Sequence, residues 1–274
     1  MAIVQRGANF GELVAIMQRL LAPGGCPWDR EQTLETLKGF LIEESYEVIE
    51  AIDAGDPKDH CEELGDLLMQ VIFQAELQAE KDLFGIEDVI AAIVDKLIRR
   101  HPHVFSDVQV KDAEEVLANW KQIKAKEHAE KGRPRRTLDG VPTGLPALLR
   151  AQRLGEKAAE VGFDWPDAAQ VRDKIHEELA EIEEAVASGD RAHIEHEVGD
   201  LLLAVSRYAK KLGVEPEEAL RAANRRFESR FNQVEDRVIA SGRKVKELSL
   251  AELDAIWDAV KREGAGPVDT VPKK

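Results

Sequence analysis

Glu44, Glu47, Glu63 and Asp66 are four carboxylates whose spacing could bring them to one point, and the same set returns as Glu178, Glu181, Glu197 and Asp200. Each set reads E-E-x-x-E, a turn, then E-x-x-D. Residues three apart share a helix face one turn apart, so each pair lies on one side of its helix. Glu47 stands eight residues before Gly55 and Glu63 eight after it, while Glu44 and Asp66 stand eleven before and eleven after. In an antiparallel hairpin this symmetry sets the pairs at matching heights, with about 4.5 Å of rise between the two levels. Gly189 divides the second set in the same way. Four converging anions repel one another unless they are protonated or neutralised by cations. Hard oxygen donors suit Mg²⁺, with Mn²⁺ as a substitute. A single run of Glu is ordinarily a solvated helix face. The second helix, the symmetry about glycine and the second copy argue for metal cups instead.

Helices must carry these side chains. Leu34, Leu37, Leu41 and Ile42 lead to Val48, Ile49 and Ile52, and Leu64, Leu67, Leu68, Val71 and Ile72 follow the turn, all at helical spacing. Leu41, Val48 and Ile52 share the Glu44 side, and Leu67 and Val71 flank Asp66, so the carboxylates border an apolar stripe. Gly55-Asp56-Pro57 is a helix stop and restart. No alternating strand pattern with hairpin signals is present, and the expected fold class is all-α.

Residues 40–71 and 174–205 match without gaps at a shift of 134, including Glu43/Glu177, Gly55/Gly189, Asp56/Asp190 and Gly65/Gly199. Trp28/Trp165, Trp120/Trp257 and Lys124/Lys261 recur at a shift of 137. A repeat of this length predicts two tandem duplicated helical domains, 1–130 and 146–264. The Pro-, Gly- and Arg-rich stretch 131–145 reads as a linker, and 265–274 as a frayed tail.

These motifs resemble the MazG-type nucleoside triphosphate pyrophosphohydrolases, members of an all-α superfamily marked by E-E-x-x-E followed by E-x-x-D. Gly25-Cys26-Pro27-Trp28-Asp29, His101-Pro102-His103-Val104-Phe105 and Gly162-Phe163-Asp164-Trp165 strengthen the likeness, which runs from about Leu13 to Lys261. The resemblance implies Mg²⁺-dependent hydrolysis of nucleoside triphosphates between the α and β phosphates, giving a monophosphate and pyrophosphate. It assigns the catalytic metal ligands to Glu178, Glu181, Glu197 and Asp200, with Glu44, Glu47, Glu63 and Asp66 as a second set. It also implies substrate contacts at Arg226, Arg230, Trp257 and Lys124, and an active core resembling a four-helix bundle. Arg226 and Arg230, four apart, suit bidentate phosphate contacts. Read without the family, such an Arg pair on an acidic chain is more often a surface ion pair. Where the second repeat has this pair, the first has Lys96, Arg99, Arg100 and the His-Pro-His segment, which argues against equal activity of the two. Glu177, beside Glu178, points to another face and is a weak candidate for a general base.

The chain of 274 residues has 53 Asp and Glu against 38 Lys and Arg, a formal charge of −15. Such a balance opposes nucleic-acid and anionic-membrane partners. Cys26 and Cys61 do not make a disulfide framework, and no stretch reaches the roughly 20 apolar residues of a membrane span, so a cytoplasmic location is expected. A two-helix hairpin cannot bury its own apolar faces, which predicts a homodimer. Two rival readings are a di-iron carboxylate bundle and a non-catalytic helical scaffold. The di-iron reading needs Glu-x-x-His on two helices, a pattern absent here although His193 and His196 lie beside Glu197.

Overall fold

In the computed structural model, residues 9–130 and 136–263 are described, and every regular element among them is helical. The chain divides into two units, Met1–Gly132 and Arg133–Lys274. The first holds α1 (Phe10–Leu21), α2 (Pro27–Arg30), α3 (Leu34–Ala54), α4 (Pro57–Ala79), α5 (Ile86–Arg100), α6 (Pro102–Phe105) and α7 (Ala113–Glu130). The second holds α8 (Ala147–Ala159), α9 (Ala168–Ser188), α10 (Arg191–Lys211), α11 (Pro216–Ala240), a 3₁₀ turn (Val245–Glu247) and α12 (Leu250–Glu263).

Each unit is organised round a hairpin, α3 with α4 and α9 with α10. Local chemistry fixes the ends of these helices. Thr33 and Thr36 cap α3 reciprocally, each side-chain oxygen accepting the other's backbone N–H, at 3.2 and 2.9 Å. Asp167 accepts from the Gln170 N–H at the start of α9. Both first helices stop at a left-handed glycine, Gly55 at φ 70° and Gly189 at φ 71°. The next residue then caps the second helix: Asp56 accepts from the Lys58 N–H, and Asp190 from those of Ala192 and His193. Only two residues separate the helices, so the chain must double back.

In the first unit, Met17 and Leu21 of α1, Leu37 of α3, Ile72, Phe73 and Ala75 of α4, and Ile86 of α5 form one core. In the second, Val234 and Val238 of α11 pack on Val260 of α12. A polar brace ties α8 to its neighbours. The buried Gln152 donates to Glu156 and Glu215, and Lys210 bridges the same two carboxylates at 2.8 and 3.1 Å. Burial alone pushes the Glu156 carboxyl up, but the hydrogen bonds from Lys210, Gln152 and Arg153 outweigh it and hold the pKa at about 2.

The apolar stripe divides. Val48 is buried, whereas Ile52 and Val71 are exposed, together with Leu64 and Leu68. The second hairpin leaves the corresponding Val186, Val198, Leu202 and Val205 exposed. Within the stretch read as a linker and the 146–264 segment, residues 131–135 and 264 lie outside the described residues, as does the tail 265–274. Gly140, Val141, Pro142 and Leu145 line a cleft with Arg153 and Lys157 of α8, in the second unit.

Candidate functional site

Two groups of carboxylates stand out. Glu44 of α3 meets Glu63 and Asp66 of α4, with one oxygen from each within 4.8 Å of the others. Glu178 of α9 meets Glu197 and Asp200 of α10 in the same way. Glu47 and Glu181 lie outside these tight sets but act on them electrostatically. Burial, then Asp66, raises the Glu44 pKa, and Glu47 adds to the rise. Burial, then the charges of Glu47 and Asp66, raises that of Glu63. Glu181 is raised by burial and by its neighbours Glu178 and Glu197, against a lowering influence from Lys174. The symmetry about each glycine thus brings together three of its four carboxylates tightly and the fourth alongside.

The donor set fits a hard divalent cation. All donors are carboxylate oxygens, and in the second set Glu178 and Glu197 are only 4% and 7% exposed. The Glu178 Oε2 atom is buried and has no hydrogen-bond partner. An unpaired buried anionic oxygen is costly, and a coordinated cation would relieve it.

The surroundings of the two sets differ. Lys174, one turn before Glu178, places Nζ 2.8 Å from Glu178, 2.7 Å from Glu177 and 3.9 Å from Glu181. Hydrogen bonds to Glu177 and Glu178 raise its pKa. Glu177 itself is over half exposed and is not one of the three converging carboxylates. At the shift of 134, Phe40 replaces Lys174 in the first unit, and Glu44 accepts a 3.4 Å hydrogen bond from Gln70 instead. The sequence reading omitted Lys174, although its i, i+4 spacing to Glu178 signals the contact. His193 and His196 turn Nε2 toward Glu197 and Asp200 at 3.1 and 3.4 Å, and neither joins the three-oxygen set.

The remaining candidates lie on other helices. Arg226 and Arg230 share α11, the first exposed and the second half-buried, and neither has an ion-pair partner among the described residues. Trp257 of α12 packs at 5.3 Å from Phe227, which stacks in turn on Phe231 at 6.0 Å. Lys124 belongs to the first unit, on α7, with Nζ 5.4 Å from the Trp120 ring.

Both hairpins lie within stretches that are similar to known proteins. Residues 32–105 and 167–235 match the MazG nucleotide pyrophosphohydrolase domain, and each stretch spans one hairpin. The nucleoside triphosphate pyrophosphohydrolase of Escherichia coli K12 is 46% identical over 258 residues, covering 93% of this chain and 98% of that protein. The nucleoside triphosphate pyrophosphohydrolase/pyrophosphatase MazG of Thermotoga maritima is 44% identical over 257 residues, 94% of this chain and 97% of that one. A crystal structure of a mazG-related protein from Thermotoga maritima aligns with 42% of this chain and 98% of its own, at 30% identity and TM-score 0.38. With two matched domains and relatives collinear over almost its full length, the chain belongs to the MazG nucleotide pyrophosphohydrolase family.

Proposed function

We propose that this protein hydrolyses nucleoside and deoxynucleoside triphosphates between the α and β phosphates, releasing a monophosphate and pyrophosphate with Mg²⁺. The observation that carries this reading is the convergence of Glu178, Glu197 and Asp200, one oxygen of Glu178 lacking any partner, in a chain of this family. When bound, Mg²⁺ offsets the triphosphate's charge and lowers the pKa of a coordinated water. Glu178, Glu181, Glu197 and Asp200 hold it, and Glu44, Glu47, Glu63 and Asp66 form the second set. Arg226 and Arg230 grip phosphate oxygens, for which their unpaired guanidinium groups are suited. Trp257 faces the base, and Lys124 adds a cation to substrate binding. Stacking on an aromatic face reads no hydrogen-bond pattern, which favours a broad range of bases.

The protein acts as a homodimer in this reading, a partner's helices covering the exposed stripes and completing a four-helix core around each set. Its location is cytoplasmic; among the described residues no helix is long and apolar enough to cross a membrane. The deciding experiment is a product assay over the eight common NTPs and dNTPs with Mg²⁺. Pyrophosphate and monophosphate are expected, in amounts that Glu178→Gln removes. Orthophosphate and diphosphate, or turnover surviving in a variant with both sets neutralised, would exclude the proposal.

A further inference from the structure

The first unit contains an ion-paired cluster between α5 and α7, where the second unit pairs a different arginine of its own, Arg237 of α11, with Glu263 of α12. Glu127 of α7 accepts from Arg99 Nε at 2.8 Å and from Arg100 Nη2 at 2.6 Å, so both its oxygens are engaged. The contact is shielded, with 14% of the Glu127 side chain and 18% of that of Arg100 exposed. The repeats show what stands in the corresponding place. The rings that pack on the tryptophans, His101 and Phe227, stand at a shift of 126, which pairs Arg99 with Arg225 and Arg100 with Arg226. His101 packs on Trp120 at 5.2 Å, and Phe227 on Trp257 at 5.3 Å. The shift of 137 that pairs Trp120 with Trp257 and Lys124 with Lys261 sets Glu127 against Gly264. The second repeat has glycine at this sequence position, and Arg226 has no ion-pair partner among the described residues. A carboxylate and a phosphate present the same paired oxygens to a guanidinium.

We propose that the first unit carries a second nucleoside triphosphate site in which Glu127 stands, as an internal anion, where the second repeat receives a phosphate. The proposal rests on Arg226 and Arg230 being phosphate contacts in the second repeat. The first unit keeps other parts of the equipment: Glu44, Glu63 and Asp66 converge, and Trp120 matches Trp257. Its site is blocked, not dismantled. An arginine already paired with a shielded carboxylate must give up that pair before the same donors can accept an outside anion.

The test is calorimetric titration of the full chain with an α,β-methylene nucleoside triphosphate and Mg²⁺. Wild type is expected to bind one equivalent per chain with high affinity. Glu127→Gln keeps a hydrogen bond to Arg100 but removes the charge, and Glu127→Ala empties the position. Each should add a second equivalent whose affinity rises about tenfold or more, the scale of one charge-assisted contact. Glu44→Gln should abolish the added site, and Asp200→Asn should spare it. Circular dichroism establishes that each variant is folded. Folded Gln or Ala variants with unchanged stoichiometry would overturn the inference, as would a wild type that already binds two equivalents equally well. A wild type that binds none would instead overturn the proposed function, and this inference with it.

Discussion

Glu178 combines three properties that separate a ligand from an ordinary surface acid: burial, a lysine at 2.8 Å on one oxygen, and no partner on the other. Glu178→Gln and Asp200→Asn are therefore expected to lower pyrophosphate release by at least about 100-fold while the protein stays folded. Melting without added metal should show equal or greater stability, because each change removes a repelling charge from the set. Destabilisation of both variants would mark the carboxylates as structural. Other acids carry stability in the opposite sense. Hydrogen bonds from Arg100 and Arg99 bring Glu127 to a pKa of about 2, and a net of bonds led by Lys210 does the same for Glu156 against the cost of burial. A depressed carboxyl contributes stability that is complete above its unfolded value, near 4.5, and is lost as pH falls through the folded one. Denaturant titrations should thus show stability falling between about pH 5 and pH 2. Glu127→Gln and Glu156→Gln should each flatten that slope.

Hairpins are the elements that convert spacing into a site. Gly55 and Gly189 take positive φ with open space around the position of a Cβ, so substitution by alanine costs backbone strain and no clash. Gly189→Ala should lower stability by about 1 to 2 kcal/mol, read by urea denaturation, and weaken metal binding by misaligning α9 and α10. Gly155 differs in kind. A Cβ there would fall 2.5 Å from Arg207 Nη1, and Arg207 is held by Asp164 at 2.8 Å and lies over the Trp165 ring at 5.1 Å. The helices and their stops were legible, because they follow from local spacing and from Gly-Asp-Pro and Gly-Asp chemistry. The brace of Gln152, Glu156, Lys210 and Glu215 was not legible, because its members come from three separate segments and share no period.

At the scale of the whole molecule, the hairpin of each unit leaves apolar surface exposed. Leu64, Leu68 and Val71 of α4 correspond at the shift of 134 to Val198, Leu202 and Val205 of α10, and all six are exposed. The same stripe left bare in both repeats fits burial against another copy. Light scattering should give a dimer at micromolar concentration, and Leu202→Glu with Val205→Glu should yield a folded monomer or a much weaker dimer. A wild-type monomer under those conditions would remove the dimer from the proposal.

By itself the sequence determined the all-helical class, the duplication and the two sets of candidate carboxylates, because each depends on near neighbours along the chain or on a repeat visible in the letters. Only the tertiary structure decided which three carboxylates of each four converge, and that Glu127 ties up Arg99 and Arg100. Those outcomes turn on side-chain reach and on charges brought together by packing. Residues 27 positions apart, such as Arg100 and Glu127, meet only when α5 and α7 are folded against each other.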